Sequence, residues 1–183
     1  MSAEDEIRTR NRMIRARPGD GSACTVLHIG KERTGHATGG AAGPEEPIIA
    51  HLGSVSSATR YFHHAPPTPG ELQQALRGVE DELLRAVTTD PADRPLLTAD
   101  GGIRAIARAA GLPPGRALEL SREAVEMTFE RLVRVSAGRP ASVEGLPQEP
   151  GFGATLLILR ELMHHGGYAA IHIRSPAYAV ARR

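Results

Sequence analysis

The sequence predicts an α/β protein, a mixed five-stranded sheet with helices packed on it. Three observations lead there. Three short strands, read at residues 23–29, 34–38 and 48–52, are joined by connections too short for a crossover, which makes them an antiparallel meander. Leu96-Leu97-Thr98 passes at once into Asp100-Gly101-Gly102 and a helical pattern, a strand, turn and helix in sequence. Residues 153–164 are apolar on nearly all sides and precede an alternating run at residues 168–173, so a buried helix feeds a final strand. A meander followed by crossovers makes the sheet mixed.

The first strand ends in Leu27-His28-Ile29-Gly30-Lys31-Glu32-Arg33-Thr34-Gly35-His36. A glycine-rich turn lets backbone N–H groups approach an anion, because glycine has no side chain in the way. This turn is only half glycine and carries Lys31, Glu32 and Arg33, so taken alone it reads as a charged hairpin. Residues 39–47 form a Gly/Pro loop before the third strand, which ends at Gly53. A short helix or turn over residues 54–64 is broken by His63-His64-Ala65-Pro66-Pro67.

Thr68-Pro69-Gly70-Glu71 then starts a helix with Thr68 as N-cap, Pro69 at the first helical position and Glu71 reaching back. Leu72, Ala75, Leu76, Val79, Leu83 and Ala86 are its buried stripe, and the helix runs to about Val87. A turn-rich loop (residues 88–94) leads to the 96–98 strand. The helix over residues 103–110 ends at Gly111, and its N-terminus, behind two glycines, offers free N–H groups and a positive dipole end to an anion. A long helix over residues 121–135 follows, with Glu123, Glu126 and Glu130 set to pair along its own solvated face with Arg122, Arg131 and Arg134. Residues 137–150 read as a Gly/Pro loop. The whole divides into a polar, Arg-rich extension (1–22), one lobe (23–175) and a short tail (176–183). The extension reads as a solvated arm, or as a basic arm for nucleic acid or an acidic partner.

Composition narrows the function classes. At 40% hydrophobic residues the chain can build a core, and with three Phe, three Tyr and no Trp that core is aliphatic and offers few base-stacking platforms. A net charge of +1 argues against bulk nucleic-acid binding. Cys24 is the only cysteine, so neither an intramolecular disulfide nor a cysteine zinc site can form. The histidine pairs His63-His64 and His164-His165 are adjacent and point different ways on a helix, so no metal site is expected from them. No apolar run nears the ~18 residues of a membrane span and the start lacks a signal-peptide apolar region, so a soluble cytoplasmic protein is expected.

The element order is the ribonuclease-H-like order found in a lobe of actin-like ATPases. Four blocks carry a more specific resemblance: the opening turn at residues 27–36; Leu52-Gly53-Ser54-Val55-Ser56 with Tyr61-Phe62; Leu97-Thr98-Ala99-Asp100-Gly101-Gly102-Ile103; and Gly145-Leu146-Pro147, the apolar helix, then Ile171-His172-Ile173-Arg174-Ser175. In order and spacing they resemble the C-terminal lobe of the exopolyphosphatase and guanosine pentaphosphate phosphohydrolase (Ppx/GppA) family. The resemblance implies an actin-like lobe with two phosphate loops. Gly30, Lys31, Arg33 and Thr34 would form the first, and Gly101, Gly102 and Arg104 the second, and because both turns follow neighbouring parallel strands they are expected to converge on one sheet edge. It also implies magnesium if the chain is active, and a polyphosphate or nucleotide ligand.

Departures from the family pattern are as informative. The family's first-loop Asp falls on His28, its Ser on Arg33 and its final Glu on Gly35, while the Thr after the second diglycine falls on Ile103. Glu32 and Asp100 are the acids near enough to replace the lost ones. The N-terminal lobe, which in the family carries another phosphate loop and the glutamate that activates water, has no counterpart in the 22 residues before the first strand. These features imply a diverged lobe in a regulatory or scaffolding role that binds a phosphate-containing ligand. The alternative is a phosphohydrolase completed by a second lobe. A homodimer or a separate N-terminal-lobe partner is expected to cover the open side.

Overall fold

The computed structural model of the chain describes residues 23–40, 43–44, 46–86 and 94–175. The Arg-rich extension, the 176–183 tail and most of the 88–94 loop lie outside the described residues. The elements run β1 (Cys24–Ile29), β2 (Thr34–Gly40), β3 (Gly43–Pro44), β4 (Ile48–Ala50), α1 (Ser54–Tyr61), α2 (Pro69–Ala86), β5 (Leu96–Thr98), α3 (Gly101–Ala109), β6 (Ala117–Ser121), α4 (Arg122–Ser136), α5 (Ala141–Glu144), α6 (Pro150–His165) and β7 (Ala170–Arg174).

The sheet is mixed, in the order β3-β2-β1-β5-β7-β6, with β4 also paired to β2. β1 and β2 are antiparallel from Cys24↔Gly39 to Ile29↔Thr34, and the hydroxyls of Thr25 and Thr38 meet across them at 3.1 Å. β1–β5 and β5–β7 are parallel. The α/β class and the meander-then-crossover order are as the sequence predicts. The sheet has seven strands rather than five, because β3 adds a two-residue bridge and β6 adds an antiparallel edge strand against β7. β6 escapes sequence reading because it is five residues long and abuts α4 with no turn between them. Ser121 closes the strand and caps the helix at once, its Oγ accepting from the Ala124 N–H at 3.2 Å.

Helix α6 is the hub. Every residue from Phe152 to Leu159 is buried, and α1, α2, α3 and α4 all pack against it. Its apolar residues join Leu27, Ile29, Leu96, Ile171 and Ile173 of the sheet in one core. The sequence places such a helix here because a segment apolar all round is stable only when covered on all sides. Helix α2 begins as read. Glu71 N–H donates to Thr68 Oγ1 (3.3 Å), Thr68 N–H donates back to Glu71 Oε2 (2.7 Å), and Leu72, Ala75, Val79 and Leu83 are buried.

The charged face expected on α4 is arranged differently. Arg131 and Arg134 leave their own helix for Glu144 on α5, a four-residue helix in what the sequence reads as loop. Arg134 Nη2 donates to Glu144 Oε2 at 3.0 Å, Arg139 Nε lies 2.9 Å from Oε1, and Arg131 Nε donates to the Glu144 carbonyl at 2.8 Å. The Arg134 hydrogen bond holds the buried Glu144 carboxyl below the usual carboxylate range, against the opposing effect of burial. Glu126 is taken by Arg160 of α6 at 2.8 Å. A helix surface read in isolation favours neighbours four apart, whereas here a packed element presents a better-placed acid.

Candidate functional site

Because β1 and β5 are parallel neighbours, the turns that follow them open on the same sheet edge, as the sequence predicts. The first is a tight hairpin. The Gly30 N–H donates to the Arg33 carbonyl at 2.9 Å, and Lys31, Glu32 and Arg33 are exposed at its tip. Thr34 is buried and its Oγ1 has no hydrogen-bond partner, so this hydroxyl faces the interior rather than the open edge.

Helix α1 holds this hairpin from below. The N–H of Ser54 donates to the Gly30 carbonyl, and those of Val55 and Ser56 to the Lys31 carbonyl, at 2.9–3.0 Å. Ser54 Oγ and Ser56 Oγ add bonds to the Gly30 and Glu32 carbonyls. The free donors of a helix start, which in another setting would receive an anion, are here satisfied by the hairpin carbonyls. The cationic side chains left exposed on this turn are those of Lys31 and Arg33. Gly53 permits the close approach: a Cβ there would lie 2.2 Å from the Lys31 carbonyl oxygen. Sequence reading missed this contact, although the run Gly53-Ser54-Val55-Ser56 was its visible sign.

At the second loop α3 starts at Gly101, with Arg104 N–H on the Asp100 carbonyl at 3.0 Å. Gly101 and Gly102 are exposed, and a side chain at Gly101 would meet nothing within 4 Å. Gly102 lies against Thr155 of α6, and Gly151 of α6 against Ser54 of α1, so the starts of three helices gather at this edge. Arg104, assigned to this loop from the sequence, donates Nη1 to the Gly115 carbonyl at 2.7 Å, and its Nη2 is buried without a partner. Its guanidinium thus extends along the edge toward the segment that enters β6.

Asp100 joins the two loops. It is buried, its Oδ1 lies 2.7 Å from His28 Nδ1, and its Oδ2 accepts the Ile29 N–H at 2.7 Å. Its own N–H donates to Thr98 Oγ1 at 3.1 Å. The carboxylate does not cap α3, where an aspartate at that position commonly would. It ties the end of β1 to the end of β5 instead. His28, which from the sequence is only the place of a missing acid, supplies half of that tie. The fit to magnesium is poor. Both Asp100 oxygens are engaged, Glu32 stands on the exposed hairpin tip, and among the described residues no three His, Cys, Asp or Glu side chains converge as a metal site.

A meander running into parallel strands, with both turns on one edge beside a buried hub helix, is the lobe architecture of actin-like ATPases. Within that class the fold is that of the Ppx/GppA proteins. A crystal structure of the Aquifex aeolicus Ppx/GppA family member superposes with TM-score 0.80 at 16% identity, covering 98% of this chain and 61% of that one. The type II variant of the Aquifex aeolicus Ppx/GppA phosphatase gives TM-score 0.79 at 16% identity, over 98% and 63% of the two chains. An exopolyphosphatase from Cytophaga hutchinsonii gives 0.62 at 12% identity, over 94% and 59%. The chain thus spans about three fifths of the length of the structures it resembles. No protein-family model matches it, and no curated protein does. Among the described residues no helix is long and apolar enough to cross a membrane.

Proposed function

We propose that this chain is a non-catalytic, cytoplasmic actin-like lobe that holds a phosphate-bearing ligand and serves a regulatory or scaffolding role. The observation that carries the reading is Asp100. The buried acid between the two turns has both oxygens committed to His28 and the Ile29 N–H, so it acts as a brace between strands. A water-activating base needs a carboxylate within reach of an attacking water, and a metal needs open oxygens. Support for anion binding comes from the open start of α3 at Gly101–Gly102 and from the exposed Lys31 and Arg33 on the adjacent turn.

The test has two arms. Purified protein with magnesium and either polyphosphate or guanosine pentaphosphate is expected to release no phosphate, and measurable turnover overturns the non-catalytic reading. Thermal melts with phosphate or polyphosphate are expected to rise with ligand concentration. The rise should be lost in Gly102→Asp and in Lys31→Glu, and a wild-type melt that no such ligand moves overturns the binding reading.

One observation favours a second reading. The similar structures extend well beyond the part this chain matches, and they are those of a phosphatase and an exopolyphosphatase. Under that reading a second lobe, on a partner chain, supplies the missing acid and the pair hydrolyses phosphate chains with magnesium. Turnover that appears only on adding such a partner distinguishes it.

A further inference from the structure

A cavity of about 430 Å³ lies among the described residues and uses none from either glycine turn. Voids left by ordinary packing are scarcely larger than a water molecule, whereas small-molecule cavities begin near ~300 Å³. The floor is buried and apolar, made by Phe62, Leu132, Val135, Leu146 and Gly153. Gly153 leaves room for the others, since a Cβ there would lie 3.3 Å from the Phe62 ring and 3.5 Å from Leu132. Two separate fastenings hold the walls. On one side Glu71 of α2 accepts the His63 N–H and meets His64 Nδ1, each at 2.9 Å, which pins the Pro-rich turn. On the other side Glu144 gathers Arg134 at 3.0 Å and Arg139 at 2.9 Å. Gly145, left-handed at φ 63°, then turns the chain so that the Leu146 N–H closes on the Ala141 carbonyl at 3.1 Å. Walls fixed by the fold need no ordering when a ligand enters, which lowers the cost of binding.

We propose that this cavity is a binding site for an uncharged, largely apolar small molecule. The chemistry of the lining selects that class. Pro66, Pro67, Pro140, Pro147 and Pro150 stand around the floor, and a proline nitrogen has no N–H to donate. Arg139 and Glu149, the Arg and the Glu of the lining, are opposite in sign, and Arg139 is already paired with Glu144. The lining therefore has no surplus charge to draw in an ion, and a charged group set on the apolar floor would be desolvated without a partner. Ser142 and Gln148, exposed at the rim, suit a neutral polar group such as a hydroxyl or a carbonyl.

Titration of the full chain with N-phenyl-1-naphthylamine, an uncharged apolar fluorophore, tests this. Wild type is expected to give a saturable rise in emission with one site per chain. The sulfonated relative, 1-anilinonaphthalene-8-sulfonate, should bind about tenfold more weakly, and so should the neutral probe to Ala141→Phe, which adds a ring at the cavity wall. The chain has no Trp, so Ser142→Trp sets a single indole at the rim, and Leu84→Trp sets one at an exposed position near the far end of α2. Binding of the neutral probe should quench the indole at Ser142 more than the one at Leu84, and this comparison carries the measurement if Ala141→Phe does not fold. No saturable binding, sulfonate binding as tight as that of the neutral probe, undiminished binding by folded Ala141→Phe, or equal quenching of the two indoles overturns the proposal.

Discussion

At the scale of single residues, the sheet edge is decided by what each group is already bonded to. Lys31 and Arg33 sit exposed on a hairpin whose carbonyls are taken by α1, and the proposed anion contact rests on their side chains. Asp100 and His28 spend their polar atoms on each other and on the Ile29 N–H, and a buried pair of this kind is costly to break one-sidedly. Two glycines make a test of the geometry. Gly53→Ala forces a Cβ to within 2.2 Å of backbone at Lys31, and is expected to lower stability by about 2 kcal/mol, as overpacking does. Gly101→Ala points a methyl into open space and should change stability by no more than about 0.5 kcal/mol. Equal losses for the two in urea titrations would contradict the placement of α1 under the hairpin.

Among the elements, α2 shows how a local start signal becomes a tertiary contact. Thr68 and Glu71 cap each other, and Glu71 Oε1 also takes the His64 ring and the His63 N–H at 2.9 Å each, which ties the Pro-rich turn to the helix. The His64 hydrogen bond is the largest cause of a Glu71 carboxyl lowered from 4.5 to about 2, with the Thr68 N–H next. A carboxyl whose folded-state value is depressed stabilises the fold above its unfolded value and loses that contribution as pH falls through the folded one. The stability gap between wild type and Glu71→Gln is therefore expected to be full above about pH 4.5 and to shrink toward pH 2. Acid unfolding curves of the two proteins check it, and a gap that widens on acidification refutes it. β6 is the opposite case, an element without a start signal of its own that exists because β7 offers it an edge to pair with.

On the scale of the whole molecule, one hub helix gathers four others, and the edge that carries both turns stays open beside it. A lobe whose turn-bearing edge is exposed at Lys31, Arg33, Gly101 and Gly102 is expected to associate through it. Light scattering should give at least twice 19.5 kDa, or co-purification should show a bound partner, and a lone monomer at every concentration counts against it. Much of this was legible in the residues. The meander, the capping box at Thr68 and Glu71, the diglycine helix start and the all-apolar α6 could be read because each depends on neighbours in sequence and on burial alone. The sequence by itself thereby determined the fold class and the meeting of two glycine turns on one edge. Only the tertiary structure decided what those turns contain: α1 donors filling the hairpin carbonyls, Asp100 locked to His28, Arg104 drawn to Gly115, and Arg131 and Arg134 turned to Glu144. The physical reason is that a polar side chain takes whichever partner packing brings within about 3 Å, and residues far apart in the chain become such partners only when the fold closes.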